Sequence, residues 1–202
     1  MASLIHRWQL TENANDSVGT LHLTNNGSVT FGADGASFNG SSQWLSGTVT
    51  IPPTGTLSIW VVPTAWTGTR CVSGWLNTLG DNGMGVQGNS SWFPTKMGAF
   101  NYANSGNYGY IESRVFNSTN YPSDVPTLIL FKWDSTTIYL RDNNGTELSS
   151  VRGVAASVSD FSIGRLGSYN SLFWSGAIND CRIYDYKTSS AEDAALSGGS
   201  YA

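Results

Sequence analysis

Apolar and polar residues alternate along most of this chain in short runs separated by turn residues, and a period of two predicts β-strands. Leu4–Leu10 alternates around Trp8 and predicts the first strand. Leu21-His-Leu-Thr and Ser28-Val-Thr-Phe31 flank Asn25-Asn26-Gly27, which predicts a hairpin closed by an Asn-Gly turn. Ala36–Gly40 and Gln43–Leu45 predict two short strands, and Thr56–Val62 a strongly apolar one stopped by Pro63. Leu128–Asp134 and Thr137–Arg141 follow, with a second Asn-Gly turn at Asn143-Asn144-Gly145 and a return strand from Glu147. Phe161–Ile163 and Ile178–Tyr184 predict the closing strands. One helix is expected, Ser190–Leu196, since Ser189 and Glu192 form a capping-box pattern and Gly198 follows as a stop.

Between Cys71 and Pro126 the alternation loosens. Trp75, Trp92, Phe93, Tyr102, Tyr108, Tyr110 and Tyr121 lie there among Gly, Asn and Ser; strands must exist here to complete the sheets, but loops are expected to dominate. Many short strands with regular turn signals predict an all-β protein: a two-sheet antiparallel sandwich with one short C-terminal helix.

Composition sharpens this picture. Charged residues make up 12% of the 202, about half the usual share, and 23 Gly and eight Trp take part of their place. At this length one domain spanning residues 1–202 is expected. The net charge of −4, with no block of like charges, argues against nucleic acid and anionic membranes as partners. No apolar run approaches the roughly 20 residues of a spanning helix. Met1 to Trp8 shows no charged leader before an apolar segment, so no signal peptide is expected. Cys71 and Cys181 are the only cysteines; two buried thiols are favoured over a disulfide.

Four segments carry a resemblance. Trp8-Gln-Leu with Asn15-Asp-Ser-Val-Gly19, Ala36-Ser-Phe-Asn-Gly40, Leu57-Ser-Ile-Trp-Val-Val-Pro63, and Gly176 to Leu196 resemble, in order and spacing, elements of the laminin G-like jelly rolls of the concanavalin A-like class. Residues from roughly 70 to 125 have no match. The resemblance implies a jelly-roll sandwich and a role in surface recognition, without a ligand.

Some relatives of that fold hydrolyse glucans through a strand bearing Glu-x-Asp-x-x-Glu, because glycoside cleavage needs two carboxylates flanking the bond. The fourteen acids here are scattered, and Glu112 alone falls in the loop-rich region. No Gly-x-Ser-x-Gly elbow is present, and His6 and His22 read as ordinary strand residues. The expectation is a protein that is not an enzyme.

Many relatives also hold one structural calcium between the opening segment and the closing strand. The resemblance implies oxygens from Asp16, Asn39, Gly40, Asn179 and Asp180 for such an ion. The alternative is that these residues form turns and backbone caps. For a glycan or partner, Trp75, Asp81, Asn89, Trp92, Tyr108 and Tyr110 combine aromatic faces with amide and carboxylate groups. The alternative is that the aromatics fill the core. Trp8, Trp60 and Trp133 are expected inside, and Trp66 and Trp174 at the rim.

Three functions follow. The first is a non-catalytic decoration or recognition protein on a bacteriophage particle, a capsid or tail component binding glycans or other virion proteins, oligomeric there and exposed without a signal. The second is a lectin or carbohydrate-binding module of an extracellular system. The third, least favoured, is a divergent glycoside hydrolase or lyase.

Overall fold

A computed structural model describes residues 2–64, 70–77, 82–90, 93–102, 113–116, 121–143, 145–152, 156–167 and 171–199, with residues 89, 90, 93–95, 102 and 113–116 described by backbone alone. In chain order the strands are β1 (Leu4–Trp8), β2 (Thr24–Asn26), β3 (Thr30–Gly32), β4 (Gly35–Asn39), β5 (Trp44–Thr48), β6 (Gly55–Pro63), β7 (Arg70–Leu76) and β8 (Gly83–Ser90). They continue as β9 (Phe93–Tyr102), β10 (Ser113–Phe116), β11 (Thr127–Trp133), β12 (Thr137–Asp142), β13 (Leu148–Val151), β14 (Asp160–Ile163) and β15 (Ser175–Tyr184), and the helix α1 (Ser190–Ser197) follows.

Two antiparallel sheets face each other. The eight-stranded sheet runs β13-β12-β11-β6-β15-β4-β3, with β1 also paired to β15; the seven-stranded sheet runs β10-β9-β8-β7-β14-β5-β2. Strand β15 divides one edge between two partners: residues 175–178 pair with β4 and residues 181–184 with β1. Its other edge pairs with β6, and the register slips between Asn179 and Arg182.

The alternation read from the sequence places the core. Leu57, Ile59 and Val61 of β6 meet Val72 and Trp75 of β7, Met84 and Val86 of β8, and Phe161 and Ile163 of β14 in one buried cluster. The intervening positions of β6 point outward, where Trp60 joins Leu128 and Leu130 beneath Leu196 of α1. The helix thus covers an apolar stripe of the eight-stranded sheet that would otherwise face water. Its capping box forms as the sequence predicts, with Ser189 accepting from the Glu192 backbone and Glu192 accepting from Ser189. Gly198 caps the other end with ordinary right-handed backbone.

Two expectations change. The segments flanking Asn25-Asn26-Gly27 are not a hairpin, because β2 joins the seven-stranded sheet through β5 and β3 joins the other through β4. Gly27 and Ser28 both take positive φ, and Asn25 closes the turn with its own amide, bonding both the N–H and the C=O of Val29 at 2.8 Å. Leu23 and Val29 enter the core from opposite sides of this crossing, so burial outweighs local pairing.

The second change concerns residues 70–116, where strands rather than loops dominate the described residues: β7, β8, β9 and β10 pair in sequence as an antiparallel meander. Their pattern is diluted by glycine. Gly74 and Gly85 sit where a Cβ would run into the facing strand's backbone, so close approach replaces side-chain alternation there.

Candidate functional site

The expected aromatic platform is partly overturned and partly outside the described residues. Trp75 lies on β7 with no exposed surface, donates from Nε1 to the Val49 carbonyl at 2.7 Å, and packs 4.9 Å from Phe161 and 5.8 Å from Trp133 between ring centroids. It is a core residue and offers no face to a ligand. Asp81, Trp92, Tyr108 and Tyr110 lie outside the described residues, and Asn89 lies on β8 with only its backbone described. Trp174, expected at the rim, is buried in the central cluster, and Trp66 lies outside the described residues. Trp8 and Trp133 are wholly buried and Trp60 nearly so, as expected.

The residues that the resemblance implies for calcium do not fit an ion as they are arranged. The Asp16 carboxylate accepts from the backbone N–H groups of Arg7, Val18, Gly19 and Leu21 and from His6 Nδ1, the last at 2.6 Å. Its own N–H donates to His22 Nδ1 at 3.1 Å. His6 and His22, read from the sequence as ordinary strand residues, therefore both serve to fix Asp16, and His22 lies outside the strands.

Burial would raise the Asp16 pKa, but the Arg7 N–H, His6 and the turn amides outweigh it and hold the carboxyl down at about 2. Asp180 is clamped between Arg7, at 2.7 Å, and Arg182. Asn39 accepts from the N–H groups of Ser41 and Ser42 in a side-chain-closed turn beside Gly40, while Asn179 sits further along β15. Carboxylates already engaged by several N–H donors and guanidinium groups leave few lone pairs toward the six to eight oxygens that Ca²⁺ needs. Among the described residues no group of three or more His, Cys, Asp or Glu side chains is placed to hold a metal ion.

A site the sequence did not reveal lies on the outer face of the seven-stranded sheet. Leu45 points inward, so its neighbours Trp44, Ser46 and Thr48 on β5 point outward. Beside them stand Thr24 of β2, across from Ser46, and Asp160 of β14, across from Thr48. Thr24, Ser46, Thr48, Asp160, Phe161, Arg165 and the backbones of Gly47 and Gly167 line a cleft of about 440 Å³. Asn26 donates to Ser46 Oγ at 2.9 Å and leaves that hydroxyl's proton available to donate onward.

The connection from β14 to β15 closes one end of the cleft. It starts at Gly164, whose φ of +82° and contact with the Phe38 ring exclude a side chain. The turn then lays the Arg165 guanidinium over the Trp44 ring, 4.0 Å from its centroid, with Phe173 packed 5.8 Å away. Leu166 anchors the connection by entering a small buried cluster with Cys71, Leu76 and Phe100.

Hydroxyls, one carboxylate and a guanidinium thus line one cleft, with the guanidinium end resting on a half-buried tryptophan, and such a lining can recognise a polyhydroxylated ligand. A second cleft, of about 460 Å³, lies across β4, β6 and β15 and carries two carboxylates, Asp34 and Asp124, with no cation and only the buried Phe38 as an aromatic.

No protein-family model matches the chain, and no curated protein matches it either. Solved structures do. Domain 4 of AbnA, a GH43 extracellular arabinanase from Geobacillus stearothermophilus, solved in complex with arabinotriose, superposes with a TM-score of 0.73 at 18% identity, over 97% of this chain and 98% of that one. The ligand-binding domain of botulinum neurotoxin serotype D, in complex with N-acetylneuraminic acid, gives 0.72 at 10% identity, over 96% of this chain and 50% of that one. The CBM40 of Ruminococcus gnavus IT-sialidase, bound to α2,3-sialyllactose, gives 0.58 at 15% identity, over 73% and 84%.

These likenesses define the class: the protein has an antiparallel β-sandwich jelly-roll fold. No helix among the described residues is long and apolar enough to cross a membrane.

Proposed function

We propose that the protein is a non-catalytic glycan-binding protein whose ligand lies in the cleft formed by Thr24, Ser46, Thr48, Asp160 and Arg165, beside Trp44. That polar lining, with Arg165 held over the half-buried Trp44 at one end, carries the reading. Glycosidases work with a pair of carboxylates across the bond, and among the described residues this cleft has one, Asp160. The similar structures solved with arabinotriose, sialyllactose and N-acetylneuraminic acid support the same class of ligand.

A glycan array probed with the full chain tests it, followed by titration of the best hit against Trp44→Ala. Binding is expected and should weaken at least tenfold in the variant, or about 1.4 kcal/mol. Absence of any bound glycan, or a variant that binds like the wild type, sinks the reading.

Within the jelly-roll class we assign the chain to the laminin G-like branch, on the segments that carry that resemblance. As its setting we propose the exterior of a bacteriophage particle, alongside other virion proteins, on the strength of its low charge and its loops rich in Gly, Asn, Ser and Thr. Mass spectrometry of purified particles from the protein's source would find it at a stoichiometric level; its absence there would leave a lectin or module of another extracellular system.

A further inference from the structure

Arg165 has no carboxylate partner among the described residues. Arg7 and Arg182 pair with Asp180, Arg141 pairs with Asp193, and Arg152 directs its donors to the carbonyls of Asp134 and Pro53 and to Asn101. Arg165 is 8% exposed, yet its one hydrogen bond runs from Nε to the Gly167 carbonyl at 3.1 Å. Among the described residues no carboxylate lies within ion-pair distance of it and no hydrogen bond reaches Nη1 or Nη2. Neither nitrogen is fully enclosed, and Arg165 is part of the cleft lining, so both donors keep access to a ligand.

A guanidinium taken out of bulk water without an anion is costly. Burial pulls the Arg165 pKa below its ordinary value, with no carboxylate acting to raise it. Stacking on Trp44 recovers part of the cost through the ring's negative face and holds the guanidinium plane in place. The fixed fork that results matches the two oxygens of a carboxylate or sulfate.

The carboxylate of the cleft is not its partner. Asp160 stands across from Thr48, at the far end of β5 from Trp44, about 13 Å away at 3.3 Å per residue. The cleft is therefore bipolar: one end presents a free cation, and the other presents hydroxyls and an acid suited to sugar hydroxyl donors.

We propose that the ligand is an acidic glycan, whose carboxylate or sulfate is bound by Nη1 and Nη2 of Arg165 while its neutral hydroxyls face Ser46, Thr48 and Asp160. This deepens the glycan reading and rests on it. The anion preference belongs to Arg165, and the contact with the rest of the sugar belongs to the other residues. Because the interaction is between charges in a partly open cleft, it weakens as salt rises.

Two measurements separate the anion site from the sugar site. The first is an array carrying matched neutral, carboxylate-bearing and sulfate-bearing versions of each glycan, probed with wild type, Arg165→Lys and Arg165→Met. The second is a titration of the full chain with inorganic sulfate, followed through the Arg165 side-chain Nε–H resonance. The acidic members should be bound at least tenfold more tightly than their neutral partners. That preference should disappear in Arg165→Met, persist in weakened form in Arg165→Lys, and be accompanied by a saturable sulfate shift. The carboxylate and sulfate arms decide which of the two anions is preferred.

Thermal melting of the variants separates lost recognition from lost folding, and Arg165→Lys retains a cation if Arg165→Met does not fold. Equal binding of neutral and acidic glycans, or an acid preference that survives Arg165→Met, overturns the inference and leaves the glycan reading standing. A saturable sulfate shift with no glycan bound overturns the glycan reading and keeps the anion site. Neither sulfate nor glycan bound overturns both.

Discussion

At the scale of single residues, Asp16 and Trp75 show how local sequence and neighbourhood divide the work. The Asp-Ser-x-Gly turn around Asp16 was legible, because a short carboxylate followed by glycine closes a turn on its own amides. That the same carboxylate would also gather His6 and the Arg7 amide depends on β1 folding back beside it. Its pKa, about 2 against an ordinary 3.8, sets a pH dependence. A carboxyl held lower in the folded state contributes stability above its unfolded pKa and loses it as pH falls through the folded one. Chemical denaturation between pH 5 and pH 1.5 should show the wild type losing about 2 kcal/mol more than Asp16→Asn across that window; parallel profiles would contradict the assigned role. Trp75 and Trp44 are not told apart by their neighbours in sequence, since each stands beside a leucine and short polar residues. One is core because Val49, Phe161 and Trp133 surround it, and the other lies on the outer face of β5, where Arg165 and Phe173 pack against it and leave it half-buried.

At the scale of elements, α1 is held by a buried ionic cluster as well as by its apolar stripe. Lys132, on the outer face of β11, reaches Asp193 of the helix, Glu147 at 2.7 Å and the Thr188 carbonyl at 3.1 Å. Asp193 is fully buried and also receives Thr188 Oγ1 at 2.7 Å and Arg141 at 3.3 Å. Removing Lys132 takes the nearest cation from a fully buried carboxylate and leaves it only Arg141. Replacing both Lys132 and Asp193 with apolar groups instead leaves the part-exposed Arg141 and Glu147, which water reaches. Lys132→Met should therefore cost about 3 kcal/mol in urea unfolding, and Lys132→Met with Asp193→Leu should recover most of it; equal losses in the single and double variants would contradict this account. The helix and its cap were legible from Ser189 and Glu192, since capping is a matter of residues three apart. The pairing with Lys132 was not, since it joins positions 61 residues apart. The Asn25–Gly27 turn misled for the converse reason: its residues suit a hairpin, but the burial of Leu23 and Val29 sends the flanking strands to different sheets.

At the scale of the whole molecule, the last strand ties the chain together: β15 pairs with β1 and β4 on one edge and with β6 on the other, while one cluster of buried side chains draws on both sheets. The expected consequence is unfolding as one unit. Far-UV circular dichroism, tryptophan fluorescence and calorimetry should report a single coincident transition; two resolved transitions would contradict the expectation of one domain. The sequence by itself determined the all-β class, most strand positions, the capped helix and the inward-facing residues of the regular strands, because alternation, capping and turn chemistry act between residues close along the chain. Only the tertiary structure decided that Asn25–Gly27 crosses between sheets, that glycine-rich residues 70–116 supply strands, and that Asp16 and Asp180 are engaged by protein donors. It alone brought Thr24, Asp160 and Arg165 to one cleft and Arg165 over Trp44. Those outcomes depend on which strands lie side by side and on which of two faces finds a covering layer, and both are set by contacts between residues far apart in the chain.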